Sequence, residues 1–167
     1  MSIANALLAE LEQEAQTTRR VLERIPQAHL SWKPHAKSMS LGQLALHVAT
    51  VPGSVAELGM LDTVPAPPAF IQPEAATAAE LVPALTASVA KARQQLGGAD
   101  DAAMGATWRL MNEGREVMAM PRAAFLRAIM LNHWYHHRGQ LLVYLRLLDL
   151  SVPSVYGPTA DENPFLA

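Results

Sequence analysis

The stretch Ala123–Leu150 is the longest apolar element of the chain and contains no proline. Pro121, just ahead of it, suits the first turn of a helix, where a missing amide hydrogen costs nothing. The spacing predicts a helix from Pro121 to about Leu148. A cluster of imidazoles breaks into this stretch: His133-Trp134-Tyr135-His136-His137 holds three of the chain's six histidines.

Three further helices are predicted ahead of it. Leu7, Leu8, Leu11, Ala15, Thr18 and Leu22 repeat at three- and four-residue steps, giving a helix from about Ala4 to Arg24, with Ser2 as N-cap and Pro26 beyond its end. Pro26 to Ser38 reads as an irregular connection. Ser40-Leu41-Gly42-Gln43 fits a capping box and starts a second helix, whose face carries Leu41, Leu44, His47, Val48, Val51, Val55 and Leu58. Pro52 lies within that pattern and predicts a kink or break. Asp62 to Pro73 holds four prolines and reads as a surface loop. Thr77-Ala78-Ala79-Glu80 is a second capping box, opening a helix with Leu81, Leu85, Val89 and Ala92 on its apolar face. Pro83 should cost that helix regularity, and Gly97-Gly98 ends it. Between Asp100 and Met120, Asn112-Glu113-Gly114-Arg115 separates two semi-alternating runs, which suggests a hairpin or a long loop. The tail from Ser151 to Ala167 should be mostly extended. Four helices of about 18–28 residues with short connections predict an all-α four-helix bundle, with an irregular or hairpin insertion before the last long helix.

Length and composition narrow the function. At 167 residues, half of them hydrophobic and 17% charged, the chain suits one domain over residues 1–167. A net charge of −2 leaves no basic footprint for nucleic acid. No cysteine is present, so disulfides, Cys-ligated zinc and a protein thiol nucleophile are excluded. The first residues lack a basic stretch, and no apolar run reaches the ~18 residues of a membrane span. A cytoplasmic protein is the expectation.

The histidines carry the chemistry. At ~100° per residue, His133 and His137 share a stripe with Leu126, Met130, Gln140 and Tyr144, so imidazoles interrupt a face expected to meet the core. Trp134, Arg138 and Arg146 point elsewhere on the same count, so Arg138 suits an ion pair or helix contact rather than substrate binding. His47 shares a face with Leu44, Val48 and Val51 on the second helix. A buried imidazole needs a hydrogen-bond partner or a metal to offset its desolvation. Three converging neutral imidazoles suit a divalent transition metal and leave a coordination position open for water or substrate. From spacing alone His133 pairs nearly as well with His136 as with His137, and periodicity does not choose. Trp134 directly after His133 excludes the zincin protease motif, which needs Glu there. No Ser-His-Asp set, glycine-rich phosphate loop or general base is identifiable. Gln43 and Gln140 either orient the ligands or satisfy buried polar atoms. Asp161 and Glu162 read as solvated tail charges, and Trp32 and Trp108 as core aromatics.

Asn132-His133-Trp134-Tyr135-His136-His137-Arg138-Gly139-Gln140-Leu141 resembles the signature of the DinB/YfiT-like family of metal-dependent proteins. Leu41–Ala49 is similar to that family's second-helix motif, and Trp32-Lys33-Pro34 and Tyr156–Glu162 also fit, in matching order over nearly the whole chain. The His-His-Arg-Gly-Gln string is the specific part. The resemblance implies a four-helix bundle and a three-histidine metal site made of His47, His133 and His137, with His136 as a neighbour. It implies a homodimer, and a wider superfamily of transferases and isomerases that use low-molecular-weight thiols.

The resulting expectation is a metal-dependent enzyme acting on a small molecule, a thiol-dependent transferase or a hydrolase. Zinc or nickel comes first as the metal, with iron and copper also suited. The alternative is a non-catalytic stress-related or binding protein in which the metal or histidine cluster is structural. Neither nucleic acid nor membrane is expected as a partner.

Overall fold

The computed structural model describes residues 1–67, 69 and 71–166. Pro68 and Phe70 of the proline-rich loop, and Ala167 of the tail, lie outside the described residues. Four long helical runs dominate. Helix α1 spans Ile3–Leu22, α2 Leu41–Gly59 and α3 Leu81–Leu96; after the short α4, Asp101–Gly105, a last run begins as α5, Arg122–Phe125, and ends as α6, His133–Leu147. Helices α1 and α2 each pack against both α3 and α6. Among the described residues, no helix is long and apolar enough to cross a membrane.

The capping signals act as their chemistry requires. Ser2 accepts the Asn5 amide, and both capping boxes close: Ser40 with Gln43, and Thr77 with Glu80. The second box opens a tight turn, Ala78–Glu80, that feeds α3. Pro83 then falls in the first turn of α3, where its missing amide hydrogen costs no bond, so the expected irregularity is absent. Helix α2 runs through Pro52 without a break. Its closest neighbour there is α3: a Cβ on Gly53 would come within 2.6 Å of the Ser88 carbonyl oxygen.

The chain is mostly helical but not all-α. Strands β1 (Thr63–Pro65), β2 (Thr107–Asn112) and β3 (Arg115–Pro121) form a small sheet in the order β1-β2-β3. The expected hairpin is β2–β3, antiparallel, with Trp108 opposite Met120. Its turn places Glu113 and Gly114 at φ 49° and 79°, the left-handed pair that the twist of a tight hairpin favours. The unexpected strand is β1, which pairs parallel to β2 with Val64 opposite Leu110. Three residues cannot display a period of two, so β1 carries no patterning signal. Trp108 fastens the sheet: it stacks on Phe125 at 3.8 Å, and its indole donates to the Leu58 carbonyl at 3.1 Å.

The last helical run departs from simple counting. Leu126–Asn132 is π-helical. Bonding from i to i+5 widens each turn beyond 3.6 residues. Positions four apart therefore come nearly under one another, and Leu126, Met130 and Trp134 continue as one fully buried line. In α6 the buried stripe is Trp134, Arg138, Leu141 and Leu145. His133, His137, Gln140 and Tyr144 share a stripe as expected, but it is half-buried and runs along the flank of the core, separated from Leu126 and Met130.

Candidate metal centre

Helix α2 reaches the site from its capped start. Ser40 Oγ donates to Glu74 at 2.7 Å, and Gln43 Nε2 donates to the Gln72 carbonyl at 3.1 Å, so the segment around Gln72 lies along the first turn of α2. His47 follows one turn after Gln43, half-buried, and Gln72 lies near enough to favour its protonated form. From the facing helix, α6 presents His133 and His137.

These three imidazoles meet. Ring centroids stand 4.6 Å apart for His47 and His137, 4.3 Å for His133 and His137, and 5.4 Å for His47 and His133. Each offers a ring nitrogen within 4.8 Å of the other two, a set that could hold a metal ion. His47 Nε2 lies 3.2 Å from His133 Nε2. Two nitrogens bound tetrahedrally at about 2.0–2.1 Å from one ion stand roughly 3.3 Å apart, so the spacing fits shared coordination.

Electrostatics keep the cluster neutral. Burial lowers the His47 pKa to about 4, assisted by the neighbouring His137 and His133 and opposed by Gln72. Burial likewise lowers His133, with His137 and His136 adding to the effect. His137 is lowered by burial, partly offset by its bond to Gln140. Desolvation and mutual repulsion both disfavour the cations. Near neutral pH the three rings are therefore uncharged, each with one ring nitrogen free of a proton, the form a metal requires.

The remaining candidates separate. Gln140 Oε1 lies 2.7 Å from His137 Nδ1, and its Nε2 lies 3.1 Å from His136 Nε2. With Nδ1–H donated to Gln140, His137 keeps Nε2 free. His136 is exposed and stands outside the three-ring cluster. Gln43 does not touch the imidazoles; it caps α2 and holds the Gln72 backbone. Arg138 is buried in an ion pair with Glu14 at 2.6 Å, and also donates to Thr18 and to the Tyr156 hydroxyl. Trp108 belongs to the core, and Trp32 packs edge-on against Tyr144 at 5.6 Å.

The tail differs from expectation. Asp161 and Glu162 are anchors rather than free charges: Asp161 accepts the Val152 amide and pairs with Arg146, while Glu162 accepts the Ser154 amide and pairs with Arg20 and Arg24. Those backbone bonds hold both carboxyls below the usual range. Gln72 had no sequence signal, because it lies in a proline-rich segment without periodicity. The proline inside α2 strips the Val48 carbonyl of its helical donor, and the Trp134 indole donates to that carbonyl at 2.7 Å.

Known proteins share the fold of this chain. The DinB family model matches residues 1–163. YrdA of Bacillus subtilis (strain 168), a protein described as uncharacterized, is 27% identical over 166 residues, which cover 93% of this chain and 89% of YrdA. The crystal structure of a DinB-like protein from Bacillus cereus aligns with a TM-score of 0.67 at 24% identity, over 91% of this chain and 97% of that one. That of YjoA, a DinB-like protein of Bacillus subtilis, aligns at 0.68 and 22% identity, over 90% of this chain and 97% of its own. At these identities the structural likeness speaks for the fold.

Proposed function

The chain belongs to the DinB family, and on that premise we propose that it is a metal-dependent enzyme acting on a small molecule, with His47, His133 and His137 as the metal ligands. The packing of α1 and α2 against α3 and α6 supports reading the four long helical runs as a four-helix bundle. The observation that carries the function is the convergence of three neutral, half-buried imidazoles from two helices. All three rings are half-buried, so each keeps some exposure to solvent. Gln140 holds His137 in the tautomer whose Nε2 is free.

A divalent ion bound there supplies the Lewis acidity that converts a water or a thiol to its nucleophilic form near neutral pH. The chain has no cysteine, so in a thiol-dependent transfer the sulfur belongs to a co-substrate; in a hydrolysis the nucleophile is water. Three imidazoles suit zinc, nickel, copper and iron, and zinc or nickel is the ion proposed. A second reading, a structural metal in a non-catalytic protein, draws on the fact that the cluster joins α2 to α6. The absence of a fourth histidine or carboxylate from the cluster, among the described residues, favours the catalytic one.

Elemental analysis and zinc titration of protein prepared without an affinity tag test the proposal. One ion per chain, bound with a ligand position that exchanges with solvent, is expected. Absence of binding would remove the metal-dependent reading in both forms.

A further inference from the structure

Helix α2 carries a backbone defect one turn beyond His47. Pro52 has no amide hydrogen, so the carbonyl of Val48, four residues earlier, loses its helical donor. Val48 is fully buried, which leaves no water to take the donor's place. The indole Nε1 of Trp134, also fully buried, donates to this carbonyl at 2.7 Å. On the opposite side of the defect Ser88 of α3 bonds to both the Gly53 amide and the Thr50 carbonyl. Val48 directly follows His47, and Trp134 directly follows His133. A buried, directional bond therefore ties α2 to α6 one residue away from two of the three imidazoles.

We infer that Trp134 is a positioning residue for the metal centre: the Pro52 defect frees the Val48 carbonyl, and the indole uses it to set the register that brings His47 against His133. The π-helical turns before His133 are what turn Trp134 inward to reach that carbonyl. This inference rests on the metal-site reading above.

A merely structural role, satisfying one buried carbonyl, is separable from positioning. Pro52→Ala returns an amide hydrogen to position 52, so the Val48 carbonyl regains a helical donor whether or not Trp134 is present. Four proteins are compared: wild type, P52A, W134F and the P52A/W134F double variant. The readouts are zinc affinity, the melting temperature of the metal-free protein, and the nuclear Overhauser contact between the His47 and His133 rings in the metal-free protein.

W134F should lower the melting temperature, weaken zinc by about 10-fold or more, and lose the ring contact. The double variant should lose less melting temperature relative to P52A than W134F loses relative to wild type, the remainder being lost packing of the buried indole, yet keep the weakened zinc affinity and the missing contact. Zinc affinity and ring contact that return with stability in the double variant would overturn the inference. Should W134F fail to fold, the double variant alone decides, since its carbonyl is paired. Should wild type bind no zinc, the metal-site reading fails separately. The ring contact still judges the positioning role: its loss in the double variant supports the role, and its retention rejects it.

Discussion

Helix α6 presents two polar clusters on different faces, and they are built on opposite logic. On one face Arg138 is 1% exposed, and its charge is met by Glu14, Thr18 and the Tyr156 hydroxyl, with the Tyr135 and Tyr156 rings about 5 Å away. Its donors and acceptors are satisfied by the protein. On the other face His133 and His137 meet His47, each ring offering a nitrogen within 4.8 Å of the other two. The first cluster is finished structure, and its loss should be felt in stability. The second is a set of imidazoles that could hold a metal ion, and on the proposed reading its loss should be felt in metal binding.

Substitutions that swap these signatures would break the comparison. The largest effect is expected for His137→Ala, which should weaken zinc by more than the ~10–100-fold typical of an outer-shell partner, while His136→Ala changes it little. Equal losses for the two would place His136 among the ligands. Arg138→Met leaves Glu14 buried without its partner and should cost roughly 3–5 kcal/mol in urea unfolding, with zinc affinity unchanged. A lost zinc site in that variant would merge the two clusters into one.

Gln140→Ala should weaken zinc by about 10-fold through the freed His137 ring, at little cost to stability. The smallest effect is in pH. An imidazole with a lowered folded pKa gains its proton first in the unfolded chain, so the metal-free protein should lose stability as the pH falls from about 6.5 to about 4. Above about 6.5 this contribution is flat. Urea midpoints of wild type and His47→Ala across that window check it, since the variant should show a shallower slope.

Much of this site was legible because helix geometry is regular. His133 and His137 share a face by spacing alone, and His47 shares one with Leu44 and Val51. The choice of His137 over His136 came from the family resemblance rather than from spacing; the structure brings His137 into the cluster and leaves His136 bonded to Gln140 outside it. The π-helical turns at Leu126–Asn132 escaped, because a uniform 100° step has no place for them, and so Trp134 and Arg138 were sent away from the core they occupy. Strand β1 escaped because its three residues acquire a strand's identity only by pairing with Arg109–Met111, far along the chain. The ion pairs of Asp161 and Glu162 escaped for the same reason: their partners Arg20, Arg24 and Arg146 are close only in the fold.

The central claim is an open three-histidine metal centre, and X-ray absorption at the zinc edge of the zinc-loaded protein tests it most directly. Three imidazole nitrogens at ~2.0–2.1 Å with at least one further light atom that exchanges with solvent is the expected result. A sphere closed by four protein ligands, or one unchanged when His47, His133 and His137 are replaced together, would contradict it.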